Sequence, residues 1–150
     1  MKEYVFSNGK LLLRQKVLWL HNETIDTSYL CMFPVLRFLS MDDTGTNVTN
    51  KAYCDDDYVQ YDASVSGLTN HVFIKRDGVK FCSTYGTDSG IECTTRQIKQ
   101  LINSVDHPGQ FQVSNSILYN KHYWNISQLN DQVVAGDVWE TEYEYEIHVN

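Results

Sequence analysis

The chain has 150 residues, of which 42% are hydrophobic and 13% aromatic, with ten tyrosines and a formal net charge of −7. That length suits one domain with one core, and a charged fraction of 21% is ordinary for a folded protein, so the composition excludes wholesale disorder. The acidic balance argues against direct binding to nucleic acid or to an anionic membrane, since both need a basic footprint, whereas a basic protein partner is compatible with it.

No window approaches the roughly 18 apolar residues of a membrane span. Charges also interrupt the first stretch, MKEYVFSNGKLLLRQK, where an export signal keeps an apolar run. The expected setting is therefore intracellular or virion-associated. Cys31, Cys54, Cys82 and Cys93 are scattered, unlike the dense spacing of a disulfide-built scaffold, and are read as reduced thiols. Asn22-Glu23-Thr24, Asn47-Val48-Thr49 and Asn125-Ile126-Ser127 match the N-glycosylation pattern and keep an exported glycoprotein domain as a competing reading. With this content of Asn, Ser and Thr, such matches also arise by chance.

Only Pro34 and Pro108 interrupt the chain, and no repeat or linker divides it, so residues 1–150 are read as a single globular domain. Asn8-Gly9 favours a type I′ hairpin because both residues tolerate positive φ. Beyond it, Leu11, Leu13, Val17 and Trp19 share one face of a strand, with Lys10, Arg14 and Lys16 on the other. The stretch TSYLCMFPVLRFLSM mixes a helical stripe with β-prone residues and Pro34, and strand is preferred. Residues 42–50, DDTGTNVTN, read as loop. HVFIKRDGVKFCSTY reads as a hairpin with Asp77-Gly78 at its turn.

Thr94 or Thr95 then offers a cap for a helix whose Ile98, Leu101, Ile102 and Val105 recur at i, i+3, i+4 and i+7. Pro108 and Gly109 would end it. FQVSNSILY is a further strand, and the last segment, VWETEYEYEIHV, alternates strictly. Trp139, Thr141, Tyr143, Tyr145, Ile147 and Val149 share one face of it, and Glu140, Glu142, Glu144, Glu146 and His148 the other. The predicted fold is α+β: a largely antiparallel sheet with hairpins and one amphipathic helix over about residues 95–105 packed on one face.

Three constellations invite a chemical reading. In the run Cys54-Asp55-Asp56-Asp57, an extended backbone lets Asp55 and Asp57 converge while Asp56 points away, and Asp42, Asp43 or Asp62 could join them around a hard cation. A calcium loop counted from Asp42 or Asp43 ends at Tyr53 or Cys54, with no terminal Glu, so a solvated acidic loop is the preferred reading. His21, His71, His107, His122 and His148 are as dispersed as the cysteines, which argues against structural zinc. Cys82 and Cys93 flank a polar loop and would pair only in an oxidising setting. No phosphate loop or dinucleotide fingerprint is present, and GTDSG places Ser89 out of register for a serine elbow. No cofactor or catalytic residue is assigned.

The acidic ladder at the C-terminus is the most specific feature. Carboxylates two residues apart on a strand stand about 6.6–6.8 Å from one another and repel, so four of them need cations nearby. Either Lys10, Arg14 and Lys16 supply these from a neighbouring strand, each opposite-charge pair contributing roughly 0.2–1 kcal/mol, or the ladder meets a basic partner through Glu140, Glu142, Tyr143, Glu144, Tyr145 and Glu146. The functional expectation is a non-catalytic interaction or assembly protein, such as a viral or phage structural component in an oligomer or larger assembly, or a small inhibitor of a basic partner. The competing class is a small metal-dependent enzyme using the Asp55 and Asp57 region.

Overall fold

The computed structural model describes residues 1–26, 28–36, 51–54, 61–62, 71–77, 80–86, 89–108, 110–115, 119–126 and 130–149. Among them every regular element is a strand. The first half holds β1 (Lys2–Ser7), β2 (Lys10–Leu18), β3 (Glu23–Ile25), β4 (Tyr29–Leu36), β5 (Lys51–Cys54), β6 (Tyr61–Asp62) and β7 (His71–Asp77). The second holds β8 (Phe81–Tyr85), β9 (Ile91–Ile102), β10 (Val105–Asp106), β11 (Gln110–Asn115), β12 (Tyr119–Asn125), β13 (Asp131–Val133) and β14 (Val138–Val149).

The larger sheet runs β1-β2-β14-β9-β8-β5-β6, with β10 paired to β9, and a second runs β4-β12-β11-β7. A short ribbon pairs β13 with β3. All of these pairings are antiparallel. The first hairpin forms as the sequence predicts: Ser7 faces Lys10, and Asn8 and Gly9 take φ of 52° and 75°. Both values lie in the left-handed region that matches the twist of the flanking strands.

The two sheets meet face to face, and the contact is polar as well as aromatic. Trp124 stacks on Tyr143 with ring centroids 5.8 Å apart. The Trp124 Nε1–H donates to Thr95 Oγ1 at 3.2 Å, and the same hydroxyl lies 3.0 Å from His122 Nδ1. The Tyr143 hydroxyl donates to Gln100 Oε1 at 2.8 Å. Cys31 Sγ lies 2.6 Å from the Tyr145 hydroxyl. A second apolar cluster closes one end, where Ile126, Val133 and Trp139 pack with Val17, Trp19, Ile25 and Ile102.

The α+β expectation is overturned at its helix. Residues 91–102 form strand β9, and the chain reverses through Asn103 and Ser104, at φ of 50° and 68°, so that Val105 faces Ile102. Two of the four residues assigned to a buried helical stripe are open to solvent: Ile98 is 53% and Val105 68% exposed. The interior is lined instead by Cys93, Thr95, Gln97 and Gln100. A register shift opposite Glu142 and Tyr143 lets Gln97 and Gln100 face inward although they are three apart, as a bulge does. The inward positions are polar, so an apolar period counted from sequence could not find them. The Thr94 or Thr95 cap falls with the helix, since both lie in mid-strand.

Asp77-Gly78 does not close a hairpin either. β7 ends at Asp77 in the smaller sheet beside β11, while β8 joins the larger sheet between β5 and β9. The stretch TSYLCMFPVLRFLSM supplies β4, a strand as preferred. The loop assigned to residues 42–50 lies outside the described residues.

Ile98→Thr, at an exposed β position, should change stability by less than about 0.5 kcal/mol, and Trp124→Ala should cost about 3–5 kcal/mol, both read by urea melts. The interior polar groups differ in a testable way. The Gln97 amide is buried without a hydrogen-bond partner among the described residues, so Gln97→Met should hold or raise the melting midpoint. Gln100→Met removes the acceptor of the Tyr143 hydroxyl and should cost about 1–3 kcal/mol.

Candidate functional site: the C-terminal charge ladder and its apolar end

β14 lies between β2 and β9, and its alternation sends tyrosines inward and carboxylates outward. The register sets Glu140 opposite Lys16, Glu142 opposite Arg14 and Glu146 opposite Lys10. Lys16 Nζ reaches Glu140 at 2.8 Å, Arg14 Nε donates to Glu142 at 2.9 Å, and Lys10 Nζ donates to Glu144 at 3.0 Å while lying 3.5 Å from Glu146. From the other flank, Arg96 Nη1 donates to Glu144 at 3.0 Å and to Glu146 at 2.8 Å, and Lys99 Nζ donates to Glu140 at 2.5 Å. Arg96 also lies over the Phe81 ring, 5.0 Å from its centroid.

The ladder's four carboxylates are thus matched inside the chain by Lys10, Arg14, Lys16, Arg96 and Lys99. The first three cations were legible as the outer face of the N-terminal strand. Arg96 and Lys99 were missed because the helical reading of their segment placed them away from β14. Of the other residues assigned to the ladder surface, Tyr143 and Tyr145 are buried on the opposite face. Burial carries the Tyr143 hydroxyl well above its ordinary pKa.

Among the described residues, the inward face of the sheet is not covered over its whole length. At the end bearing the first hairpin, Phe6, Gly9, Leu11, Tyr145 and Ile147 line a groove of about 160 Å³. Phe6 is 80% and Ile147 58% exposed, and Tyr4 and Val149 beside them are also open to solvent. These side chains share a face because Phe6 is opposite Leu11 and Leu11 opposite Tyr145.

Other chemistry-bearing groups are held in structural roles. Ser83 Oγ donates to Glu92 Oε1 at 2.6 Å, Tyr53 Oη donates to the same oxygen at 2.8 Å, and Thr94 Oγ1 donates to Ser83 Oγ at 3.2 Å. Burial and the Glu92 carboxylate push the Tyr53 hydroxyl up to about 12. Ser83 is fully buried, so no substrate reaches its hydroxyl in the folded state. Burial pushes Cys31 up to about 12, against the opposing hydrogen bond from Tyr145, and Cys93 up to about 11. Both are thiols at neutral pH and poor nucleophiles. His122 is buried and its pKa falls to about 3 through desolvation, so it stays neutral.

Asp42, Asp43, Asp55, Asp56 and Asp57 lie outside the described residues, and Asp62 is placed by its backbone opposite Lys51. Among the described residues no three His, Cys, Asp or Glu side chains gather as a metal site, and no helix is long and apolar enough to cross a membrane. No disulfide joins Cys82 to Cys93. Of the glycosylation patterns, Asn47 lies outside the described residues. Asn22 Oδ1 accepts from the Ala135 N–H at 2.8 Å, and Asn125 is only 3% exposed, so a glycan could not be carried at Asn125 in this fold.

No protein-family model and no curated protein matches the sequence. Among solved structures, the fold is similar to that of the Slr1438 protein from Synechocystis sp. PCC 6803, at a TM-score of 0.53 and 6% identity over 99% of this chain. The match covers 54% of that protein's chain, so this chain spans about half its length. At that identity the likeness concerns the fold alone.

The Glu140 carboxyl carries the clearest electrostatic signature. Hydrogen bonds from Lys16 and Lys99 lower its pKa from 4.5 to about 2. A carboxylate held below its unfolded value stabilises the fold above that value and loses the contribution as pH falls through the folded one. Glu140 pairing should therefore be complete above about pH 4.5 and lost towards pH 2. A ¹³C NMR titration should place the Glu140 midpoint near 2, and Lys16→Met with Lys99→Met should return it towards 4.5. A midpoint near 4.5 in the unaltered protein would show that the two pairs do not persist in solution.

Proposed function

We propose that the protein is a non-catalytic protein-binding module whose contact surface is the apolar hairpin end of the larger sheet. The observation that carries this reading is the groove of Phe6, Gly9, Leu11, Tyr145 and Ile147, flanked by exposed Tyr4 and Val149. Clustered apolar side chains left in water commonly mark interaction surfaces, with large aromatics as their anchors.

The two settings expected from the sequence ask for different faces. An assembly component, in a virion or another oligomer, would use the apolar end to meet a neighbouring subunit. An inhibitor of a basic partner would use the ladder, where an incoming cation has to displace Lys10, Arg14, Lys16, Arg96 or Lys99 from its carboxylate. That competition favours the apolar end.

Phe6→Asp and Ile147→Asp should leave thermal stability nearly unchanged, because both side chains are exposed, and should abolish self-association in sedimentation velocity or retention of the partner in affinity capture. Glu142→Gln with Glu144→Gln should retain binding and cost stability on the scale of surface ion pairs, roughly 0.2–1 kcal/mol each. The reverse pattern, binding lost with the ladder variant and kept with Phe6→Asp, would move the contact surface to the ladder and sink this reading.

A further inference from the structure

Among the described residues β1 is the outermost strand on its side of the larger sheet, where the order begins β1-β2-β14. Its pairing with β2 runs from Lys2 opposite Gln15 to Ser7 opposite Lys10 with no shift of register, and the strand contains no proline. An antiparallel strand turns the backbone groups of alternate residues towards its neighbour and those of the rest away from it. The Lys16 N–H donates to the Met1 carbonyl at 2.9 Å, so Met1, Glu3, Val5 and Ser7 are the residues turned towards β2. The N–H and C=O groups of Lys2, Tyr4 and Phe6 therefore point out of the sheet's edge, where a further strand can add.

We propose that this edge pairs antiparallel with the same edge of a second copy of the chain, about a two-fold axis at Tyr4. The sequence selects that centre. Pairing about Tyr4 sets Tyr4 opposite Tyr4 and Lys2 opposite Phe6, so all three outward residues exchange backbone hydrogen bonds with the second copy. A centre at Val5 engages only Tyr4 and Phe6, because Lys2 then falls opposite Asn8 in the turn. A centre at Glu3 sets two carboxylates opposite one another, which is unfavourable.

The side chains agree with the backbone. Tyr143 is opposite Leu13 and Leu13 is opposite Tyr4, so the row continues through the axis into the Tyr4, Leu13 and Tyr143 of the second copy. Tyr143 and Leu13 are buried, whereas Tyr4 is 57% exposed, and the second copy covers this open end of the row. Lysine on an edge commonly blocks pairing. Lys2 instead leans over its own Tyr4 ring, with Nζ 5.2 Å from the centroid, and meets the face of the second copy's Phe6 as a cation on an aromatic ring. This contact uses the backbone edge rather than the apolar groove, and so goes beyond the reading above.

The test is sedimentation velocity over a concentration series up to millimolar, with variants that separate the edge from the groove. The wild-type protein should dimerise. Tyr4→Pro should be monomeric yet folded by circular dichroism, because the lost N–H points away from β2 and proline is tolerated at such edge positions. Ile147→Asp should remain dimeric. Cysteine substitution then fixes the register. Opposite Cα atoms of a hydrogen-bonded pair stand about 5.5 Å apart, within the roughly 4.4–6.8 Å that a disulfide spans, so Tyr4→Cys should give a dimer linked through residue 4 on mild oxidation, located by peptide mass spectrometry. Val5→Cys should not link, since its two copies are diagonal neighbours about 7–8 Å apart. A wild-type protein that stays monomeric, or a linkage through Val5→Cys in preference to Tyr4→Cys, would overturn the inference. A dimer that survives Tyr4→Pro and is lost in Ile147→Asp would overturn it too, while leaving the groove as the contact surface.

Discussion

Strand β14 has no freedom to slide. It pairs with β2 and β9 along most of its length, and its side chains alternate between aromatic and carboxylate. A slip of one residue would turn Glu140, Glu142, Glu144 and Glu146 into the interior and Tyr143 and Tyr145 into water, because the side-chain period of a strand is two. Burying even one unpaired carboxylate costs far more than a surface ion pair contributes. The ladder is therefore better understood as a register lock than as a source of stability. The five cations on its flanks make the correct register comfortable, and desolvation makes the alternatives costly.

The contact between the sheets obeys a second constraint, that polar groups placed inside must meet one another. Thr95 serves both His122 and Trp124, Gln100 serves Tyr143, and Cys31 serves Tyr145. Directional bonds of this kind tolerate little sliding of one sheet over the other, whereas an interior of interchangeable aliphatic groups would tolerate more. Burial leaves His122 neutral and Cys31 protonated, so the interior contributes architecture rather than reactivity. Function is thereby pushed outward, to the sheet's faces and ends. Of these, the ladder face is saturated with its own counter-charges, while the hairpin end keeps large apolar groups in water.

Local, strictly periodic features were legible in the chain. The Asn8-Gly9 turn, the β2 pattern and the alternation of β14 each depend on residues within a few positions of one another, and the opposite charges of Lys10, Arg14 and Lys16 made the pairing of β2 with β14 readable as well. Residues 95–105 were not legible in the same way. Their apolar spacing fits a helix, yet the segment sits between β14 and β8, whose open edges it satisfies with backbone hydrogen bonds. That tertiary demand outweighs a modest intrinsic preference. Asp77-Gly78 misled for a related reason: a turn dipeptide specifies a reversal of the chain and does not specify which sheet the next strand joins.

What the sequence determined by itself was therefore the identity of individual strands, the two faces of β14 and the chemical class of the ladder. The tertiary structure alone decided that Arg96 and Lys99 complete the counter-charge and that Tyr143 is interior while Phe6 and Ile147 are exposed. The physical reason is that side-chain periodicity is a property of neighbours along the chain. Pairing register and coverage by a second sheet join residues dozens of positions apart, and no local period encodes them.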